Sequence, residues 1–292
     1  MLKSGLVAIV GRPNVGKSTL MNALIGEKVS IVSEKPQTTR TNILGIMNRK
    51  DLQVMFLDTP GIHKPKDDLG EHMVKKAIEA LEDDIDLIIF IVDATKVTEE
   101  DIYIDRYILP KYSVKKILVV NKSDLLPKDP LEEVKKEIEL ERYDKVIPIS
   151  ALYRTNLEIL EDTIREYLPE GPAYYPQDTI TTLPIEDRIR EIVREKTIQL
   201  TYQEVPYSVA VVLDEFIERN NLFYIKAIIY VEKDSQKGII IGKDGKKLKE
   251  IGSLAREELE SILGKKVYLD LWVKTREKWR KKTRWVEEFV YK

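Results

Sequence analysis

The chain has 292 residues, 43% hydrophobic and 34% charged, and 48 Lys+Arg against 50 Asp+Glu give a formal net charge of −2. That length suits two folded units better than one, and no apolar run approaches the roughly 20 residues a membrane-spanning helix needs. With no cysteine there are no disulfides or thiolate ligands, and only His63 and His72 could offer imidazole, which argues against a zinc site.

From the N-terminus, Leu6 to Val10 reads as a strand, entered without a charged leader or cleavage site, so a cytoplasmic location is expected. Gly11-Arg12-Pro13-Asn14-Val15-Gly16-Lys17-Ser18 matches GxxxxGK[ST] between that strand and a helix predicted over Lys17 to Leu24. Backbone N–H groups of such a loop converge on phosphate oxygens at a helix N-terminus. Lys17 would reach the β- and γ-phosphates and the Ser18 hydroxyl would ligate Mg²⁺. Gln37-Thr38-Thr39-Arg40 falls in an expected loop. One of its threonines, with Thr39 slightly preferred over Thr38, should ligate Mg²⁺ only while a γ-phosphate is present. Gln53 to Leu57 is the next strand, ending in Asp58-Thr59-Pro60-Gly61. Asp58 would hold Mg²⁺ through water, and the Gly61 N–H would sense the γ-phosphate. Ile62, counted with the nucleotide-binding residues, follows where a water-orienting glutamine would be useful, so intrinsic hydrolysis should be slow. His63 is better read as a loop residue than as a base.

Further strands are predicted at Leu87 to Val92, Lys116 to Val120 and Lys145 to Ile149, with helices over Gly70 to Glu82, Thr98 to Leu109, Pro130 to Glu141 and Leu157 to Tyr167. The alternation implies an α/β layered domain. Asn121-Lys122-Ser123-Asp124 follows one of these strands, and an Asp carboxylate there can accept two hydrogen bonds from guanine N1–H and its 2-amino group, a donor pair adenine lacks. Ser150-Ala151 follows another as a second base-contacting element. A P-loop kinase would instead prefer ATP, and Asp124→Asn would leave its choice of nucleotide unchanged.

Prolines and a glycine from Leu168 to Pro176 mark a linker. The predicted division is 1–170 for the nucleotide domain, 171–184 for the linker, 185–276 for a second domain and 277–292 for a tail. Cut near Leu183, the second part is net basic and the first net acidic, which points to a polyanion for the second. Its predicted order is α-β-β-α-α-β: a helix from Ile185 to Tyr202, strands at Tyr207 to Arg219 and Leu222 to Glu232 around an Asn220-Asn221 turn, helices on both sides of Gly242-Lys243-Asp244-Gly245, and a strand at Lys266 to Lys274. In that order, with Lys237, Lys243, Lys246, Lys247 and Lys249 around it, the GxxG resembles the loop with which an α-first KH domain clamps about four nucleotides of single-stranded RNA. Ile239, Ile240 and Ile241 could form an apolar floor under the bases. In the tail, Trp279 and Arg280 are candidates for stacking and backbone contact, although packing of a tryptophan onto the domain is equally compatible with the sequence.

The set GRPNVGKST (Gly11 to Thr19), QTTR (Gln37 to Arg40), DTPGIHKPK (Asp58 to Lys66), NKSD, ISA (Ile149 to Ala151), PYSV (Pro206 to Val209) and IIGKDGKKLKEIG (Ile240 to Gly252) resembles the Era family of bacterial GTPases over essentially the whole chain. The resemblance implies an α/β P-loop GTPase domain followed by an α+β KH domain. It also implies binding near the 3′ end of small-subunit ribosomal RNA during assembly of the small ribosomal subunit, GTP dependence of that binding, and peripheral membrane association of a monomer. Asn14 resembles the asparagine with which some GTPases of this class hold K⁺ beside the phosphates, and a turn-former chosen for loop geometry is the alternative. A signalling switch whose KH-like module binds protein or membrane is the competing reading of the whole chain.

Overall fold

The computed structural model describes residues 1–33, 35, 38–126 and 129–291; Gln37 lies outside the described residues. The chain divides into two compact units, one built on residues up to Thr182 and the other on residues from Leu183 onward.

The first unit runs β1 (Lys3–Val10), α1 (Lys17–Ile25), β2 (Ile43–Arg49), β3 (Leu52–Asp58), α2 (Asp68–Glu79), β4 (Leu87–Asp93), α3 (Glu99–Tyr103), β5 (Lys115–Asn121), β6 (Lys145–Pro148) and α4 (Leu157–Tyr167). Its sheet has the order β2-β3-β1-β4-β5-β6, parallel except for the β2–β3 pair. Alternate strand residues feed two cores. Val7 and Ile9 join Leu20, Met21 and Leu160 on one face, while Ala8 and Val10 join Ala77, Leu81 and Ile104 on the other. Central strand β4 is buried throughout, as expected of a parallel strand covered on both sides.

Three stretches differ from the predicted elements. Ile43–Arg49, which carries no clean alternation and has Gly45 at its centre, is a strand because β3 pairs with it residue for residue. Pro130 to Glu141 is not a regular helix but a set of short turns, Val134–Lys136 and Leu140–Arg142 among them. It buries Val134 and Ile138, too little apolar surface to offset the cost of nucleating a helix. After α3 the chain widens into an i→i+5 turn over Ile104–Ile108 and then tightens through Pro110, whose missing N–H ends the helical run.

Residues 169–181, prolines included, are fastened along the first unit. Ser4 N–H donates to Pro169 O at 3.1 Å and Ile46 N–H to Ile180 O at 2.8 Å. The Gln53 side-chain oxygen accepts from the N–H groups of Tyr174 and Tyr175 at 2.7 and 3.0 Å. The contact at Ile46 pairs groups on edge strand β2 that would otherwise be open to another chain.

The second unit runs α5 (Ile185–Gln199), a short α6 (Val205–Ser208), β7 (Ala210–Arg219), β8 (Leu222–Val231), α7 (Asp234–Ile241), α8 (Lys246–Leu263), β9 (Lys266–Thr275) and a short α9 (Thr283–Val286). Leaving aside the two short helices, this is the predicted α-β-β-α-α-β order. β7 begins at Ala210 rather than Tyr207, because the preceding turn is helical and the Ser208 hydroxyl donates to Val205 O at 2.8 Å. The sheet order is β7-β8-β9, with β9 parallel to β8. Ile225, Ala227, Ile229 and Val231 on β8 meet Val267 and Val273 on β9 and Ile189, Val193, Ile251, Ala255 and Leu259 on the helices in one core.

Candidate nucleotide site and single-strand groove

The ends of β1, β3, β5 and β6 deliver four loops to one edge of the first sheet, where an open α/β sheet holds its ligands. Gly16 has φ 104° and lies so close to the next loop that a Cβ there would stand 2.2 Å from Asn121 Nδ2; only glycine fits. Asn121 Nδ2 donates to Val15 O at 2.7 Å, and its Oδ1 accepts from Ala151 N–H at 2.9 Å. One side chain thus binds the phosphate loop to both of the loops expected to contact the base. Ser150 Oγ accepts from Tyr153 N–H at 3.2 Å, holding the Ser-Ala turn. Lys122, at φ 66°, donates to Asp93 Oδ2 at 2.6 Å, and Asp124 is exposed to solvent at the same end.

Lys17 is buried, with Nζ donating to Gly11 O at 3.0 Å and to Arg12 O at 2.8 Å. Burial lowers its pKa to about 8, opposed by the nearby Asp58 charge. Arg12 itself is turned aside, donating from Nε to the buried Asp101 at 2.8 Å. Pro13, Asn14 and Thr19 lie at partial exposure around the same loop, and Asn14 takes a left-handed φ of 64°, a conformation asparagine tolerates well.

Asp58 is fully buried, and its Oδ2 accepts from Ser18 Oγ at 2.6 Å, Ser30 Oγ at 2.8 Å and Thr39 Oγ1 at 3.5 Å. Ser18 and Thr39 hydroxyls are 2.9 Å apart, so Thr39 is the threonine brought to the site. Among the described residues, Asp58 Oδ1 is buried with no partner. Burial raises the Asp58 pKa, opposed chiefly by the Ser18 hydrogen bond. An orphan carboxylate oxygen beside two hydroxyls is a hard-oxygen set that fits Mg²⁺, an ion held by one or two carboxylates together with waters and phosphates. Among the described residues no cluster of three or more His, Cys, Asp or Glu able to hold a metal occurs.

The 58–62 loop lies against the phosphate loop: Thr59 Oγ1 donates to Ile9 O at 2.9 Å and Ile62 N–H to Gly11 O at 3.3 Å. Ile62 belongs to the core and contributes no side chain to the nucleotide site, a correction to its place among the nucleotide-binding candidates. Pro60 and Gly61 are buried beside it. His63 turns Nδ1 back to within 2.8 Å of Gly61 O.

In the second unit α7 stops at Gly242, where φ 72° and a Cβ position 2.8 Å from Lys247 Cβ both require glycine. Lys243 leads into a left-handed Asp244 (φ 53°) and Gly245 (φ 71°), and α8 starts at Lys246. Lys243, Lys246 and Lys249 are exposed; Lys237 and Lys247 are partly so. The turn opens on a groove of ≈ 460 Å³ between α8 and β9, lined by Gly245, Leu248, Lys249, Gly252, Ser253 and Arg256 on one side and Val267, Tyr268, Leu269 and Leu271 on the other.

That lining corrects the predicted floor. Ile240 is fully buried in the core and Ile241 packs against it, leaving Ile239 as the outward isoleucine. Leu248, Leu269 and Leu271 supply the apolar surface instead. Gly252, in mid-helix where glycine weakens a helix, lines this groove opposite Leu271. The tail is also corrected. Trp279 is fully buried with Nε1–H donating to Ser208 O at 2.8 Å, so its ring is not available to a base. Arg280 is held by Glu232 Oε2 at 2.8 Å.

Residues 6–122 match the family described as 50S ribosome-binding GTPase, and residues 204–280 match the KH domain family. GTPase Era of Staphylococcus haemolyticus (strain JCSC1435) is 47% identical over 294 residues, covering 99% of this chain and 97% of its own. Among solved structures, Era in complex with MgGDPNP and nucleotides 1506–1542 of 16S ribosomal RNA superposes with TM-score 0.95 at 44% identity, covering 100% of this chain and 99% of that one. A single-residue variant of Aquifex aeolicus Era bound to GDP·AlF4⁻ gives TM-score 0.93 at 45% identity, covering 99% of both.

Proposed function

The chain belongs to the Era family of GTPases, and on that premise we propose that its GTP hydrolysis controls the grip of the second unit on single-stranded RNA, the 3′ region of small-subunit ribosomal RNA, during assembly of the small ribosomal subunit. The observation that carries this reading is the lysine-framed GxxG turn opening directly on the α8–β9 groove: glycine lets phosphates approach, lysines supply the electrostatic attraction, and leucines face the bases. The solved relative bound to MgGDPNP and 16S nucleotides 1506–1542 supports both ligands.

The reaction is attack of water on the γ-phosphorus with cleavage of the bond to the β,γ-bridging oxygen, yielding GDP and phosphate. Lys17 exchanges its two carbonyl partners for phosphate oxygens, Gly61 N–H faces the γ-phosphate, and Asp124 accepts from the guanine edge. Ser18, Thr39 and, through water, Asp58 would hold Mg²⁺, which when bound neutralises charge on the β- and γ-phosphates. With Ile62 committed to the core, no side chain at that position orients water, so the intrinsic rate is slow. Asn14 as a K⁺ ligand belongs to the same proposal, its support being its place in the phosphate loop.

The test is fluorescence anisotropy of a labelled 16S 3′-end oligonucleotide with the protein in its GDP, GTP-analogue and nucleotide-free forms. The expected result is tightest binding with the analogue, falling steeply with salt and abolished in the double variant Gly242→Asp, Gly245→Asp. Equal affinity in all three forms, or salt-insensitive binding, would overturn it.

A further inference from the structure

Asp58 is the carboxylate on which the nucleotide site turns, and two of its three hydroxyl donors have another task. Ser18 and Thr39 would be magnesium ligands, and Thr39 lies in the segment that responds to the γ-phosphate. Ser30 has no such role. It is fully buried, its Oγ donates to Asp58 Oδ2 at 2.8 Å, and its own backbone is held from the opposite side by Asn22 of α1. Asn22 Oδ1 accepts from Val29 N–H at 2.9 Å and Ser30 N–H at 3.0 Å, while Asn22 Nδ2 donates to Ser30 O at 2.7 Å. A side chain that satisfies three main-chain groups of one dipeptide fixes that dipeptide to the helix carrying Ser18.

We propose that Ser30, clamped by Asn22, is a positioning residue for the magnesium site. It holds Asp58 Oδ2 independently of Thr39, and so leaves Oδ1, which has no partner among the described residues, in a fixed place to accept from a water that Mg²⁺ would carry when bound. The chain α1–Asn22–Ser30–Asp58 ties the carboxylate to the same helix that presents Ser18, so both metal-facing oxygens move as one body. Partners of this kind, one step removed from a metal, typically change its affinity by 10–100-fold when mutated. The inference rests on the Mg²⁺-dependent GTPase reading.

The experiment titrates Mg²⁺ into protein loaded with a fluorescent GDP and reads the rate of nucleotide release, for the wild type, Ser30→Ala, Asn22→Ala and the double variant, with circular dichroism to check the fold. The expected result is a rise of about tenfold in half-saturating Mg²⁺ for each single variant, the double no worse than either because the two act through one interaction, and a smaller change in hydrolysis rate at saturating Mg²⁺ than in the Mg²⁺ requirement. Hydrogen exchange adds a readout free of turnover: the Val29 and Ser30 amides stay protected in the GDP and GTP-analogue forms, and lose protection in Asn22→Ala. Unchanged half-saturation in Ser30→Ala, or in Asn22→Ala should Ser30→Ala not fold, overturns the proposal, as does a rate loss that saturating Mg²⁺ leaves intact. Should wild-type nucleotide release not depend on Mg²⁺ at all, it is the underlying reading that fails.

Discussion

Asn121 donates from its side-chain amide to the Val15 carbonyl at 2.7 Å, so the residue that opens the Asn-Lys-Ser-Asp motif, proposed to select guanine, also props up the phosphate loop. The other end of the same amide accepts from Ala151 N–H. Asn121→Ala would strand a buried carbonyl and a buried N–H, each at a cost of roughly 1–3 kcal/mol. The expected outcome is a lower melting temperature together with at least about tenfold weaker GDP binding, since about 1.4 kcal/mol is a factor of ten. Calorimetric melts and GDP titration read the two effects. Loss of affinity with stability intact would mean that the loops hold without it.

Lys17 makes the stability of the nucleotide-free protein pH-dependent in a specified direction. Burial brings its pKa from 10.5 down to about 8, so between those values the unfolded chain binds more protons than the folded one, and stability rises with pH. At about 1.4 kcal/mol per pH unit the full effect is on the order of 3 kcal/mol. Below pH 8 the charged, buried lysine carries that penalty in full. Lys17→Met, freed of it, should therefore gain on the wild type at pH 7, and the gain should shrink by pH 10. Urea unfolding in EDTA across this range measures it, and a difference that stays flat with pH would contradict the assignment.

Asn14 is left-handed in the phosphate loop, a conformation glycine would adopt as easily. If its side chain holds K⁺, exchanging K⁺ for Na⁺ slows hydrolysis on the order of tenfold or more, against the larger 10³–10⁵ of an arginine finger, and Asn14→Gly removes that ion preference while keeping the loop. Phosphate-release assays in the two salts decide this; an ion preference that survives in Asn14→Gly would assign the asparagine to loop geometry alone.

Trp279 and the GxxG lysines should separate stability from RNA binding. Trp279→Ala removes a fully buried ring and orphans Ser208 O, with an expected loss of about 3–5 kcal/mol, while the folded fraction keeps its RNA affinity within about twofold. Lys243→Ala and Lys246→Ala should do the opposite, leaving the melt in place, weakening RNA and reducing the slope of log affinity against log salt by about one for each phosphate no longer neutralised. Melting curves paired with a salt series provide both readings.

The parts of this protein legible in its sequence are those whose chemistry is local. A glycine-rich turn between strand and helix, an aspartate ending a strand and a lysine-framed GxxG each carry their reason in adjacent residues, because backbone N–H groups and left-handed conformations are set by near neighbours. The same holds for strands β1, β4 and β5, whose apolar runs fit only a covered parallel sheet. Pairing and packing between distant residues lay outside that reach. Strand β2 depends on β3 for its hydrogen bonds, and Pro130 to Glu141 has a helical composition but finds too little core to hold a helix. Thr39 is distinguished from Thr38 by a hydroxyl 21 positions earlier in the chain, and Trp279 is taken from solvent by a carbonyl 71 positions away. Ser30, with nothing around it in sequence to mark it, reaches Asp58 only because the chain after α1 is brought back to the end of β3. Local backbone preference thus determined which chemistries this chain carries, and burial, which is settled only when the whole chain has packed, decided which side chains are left to perform them.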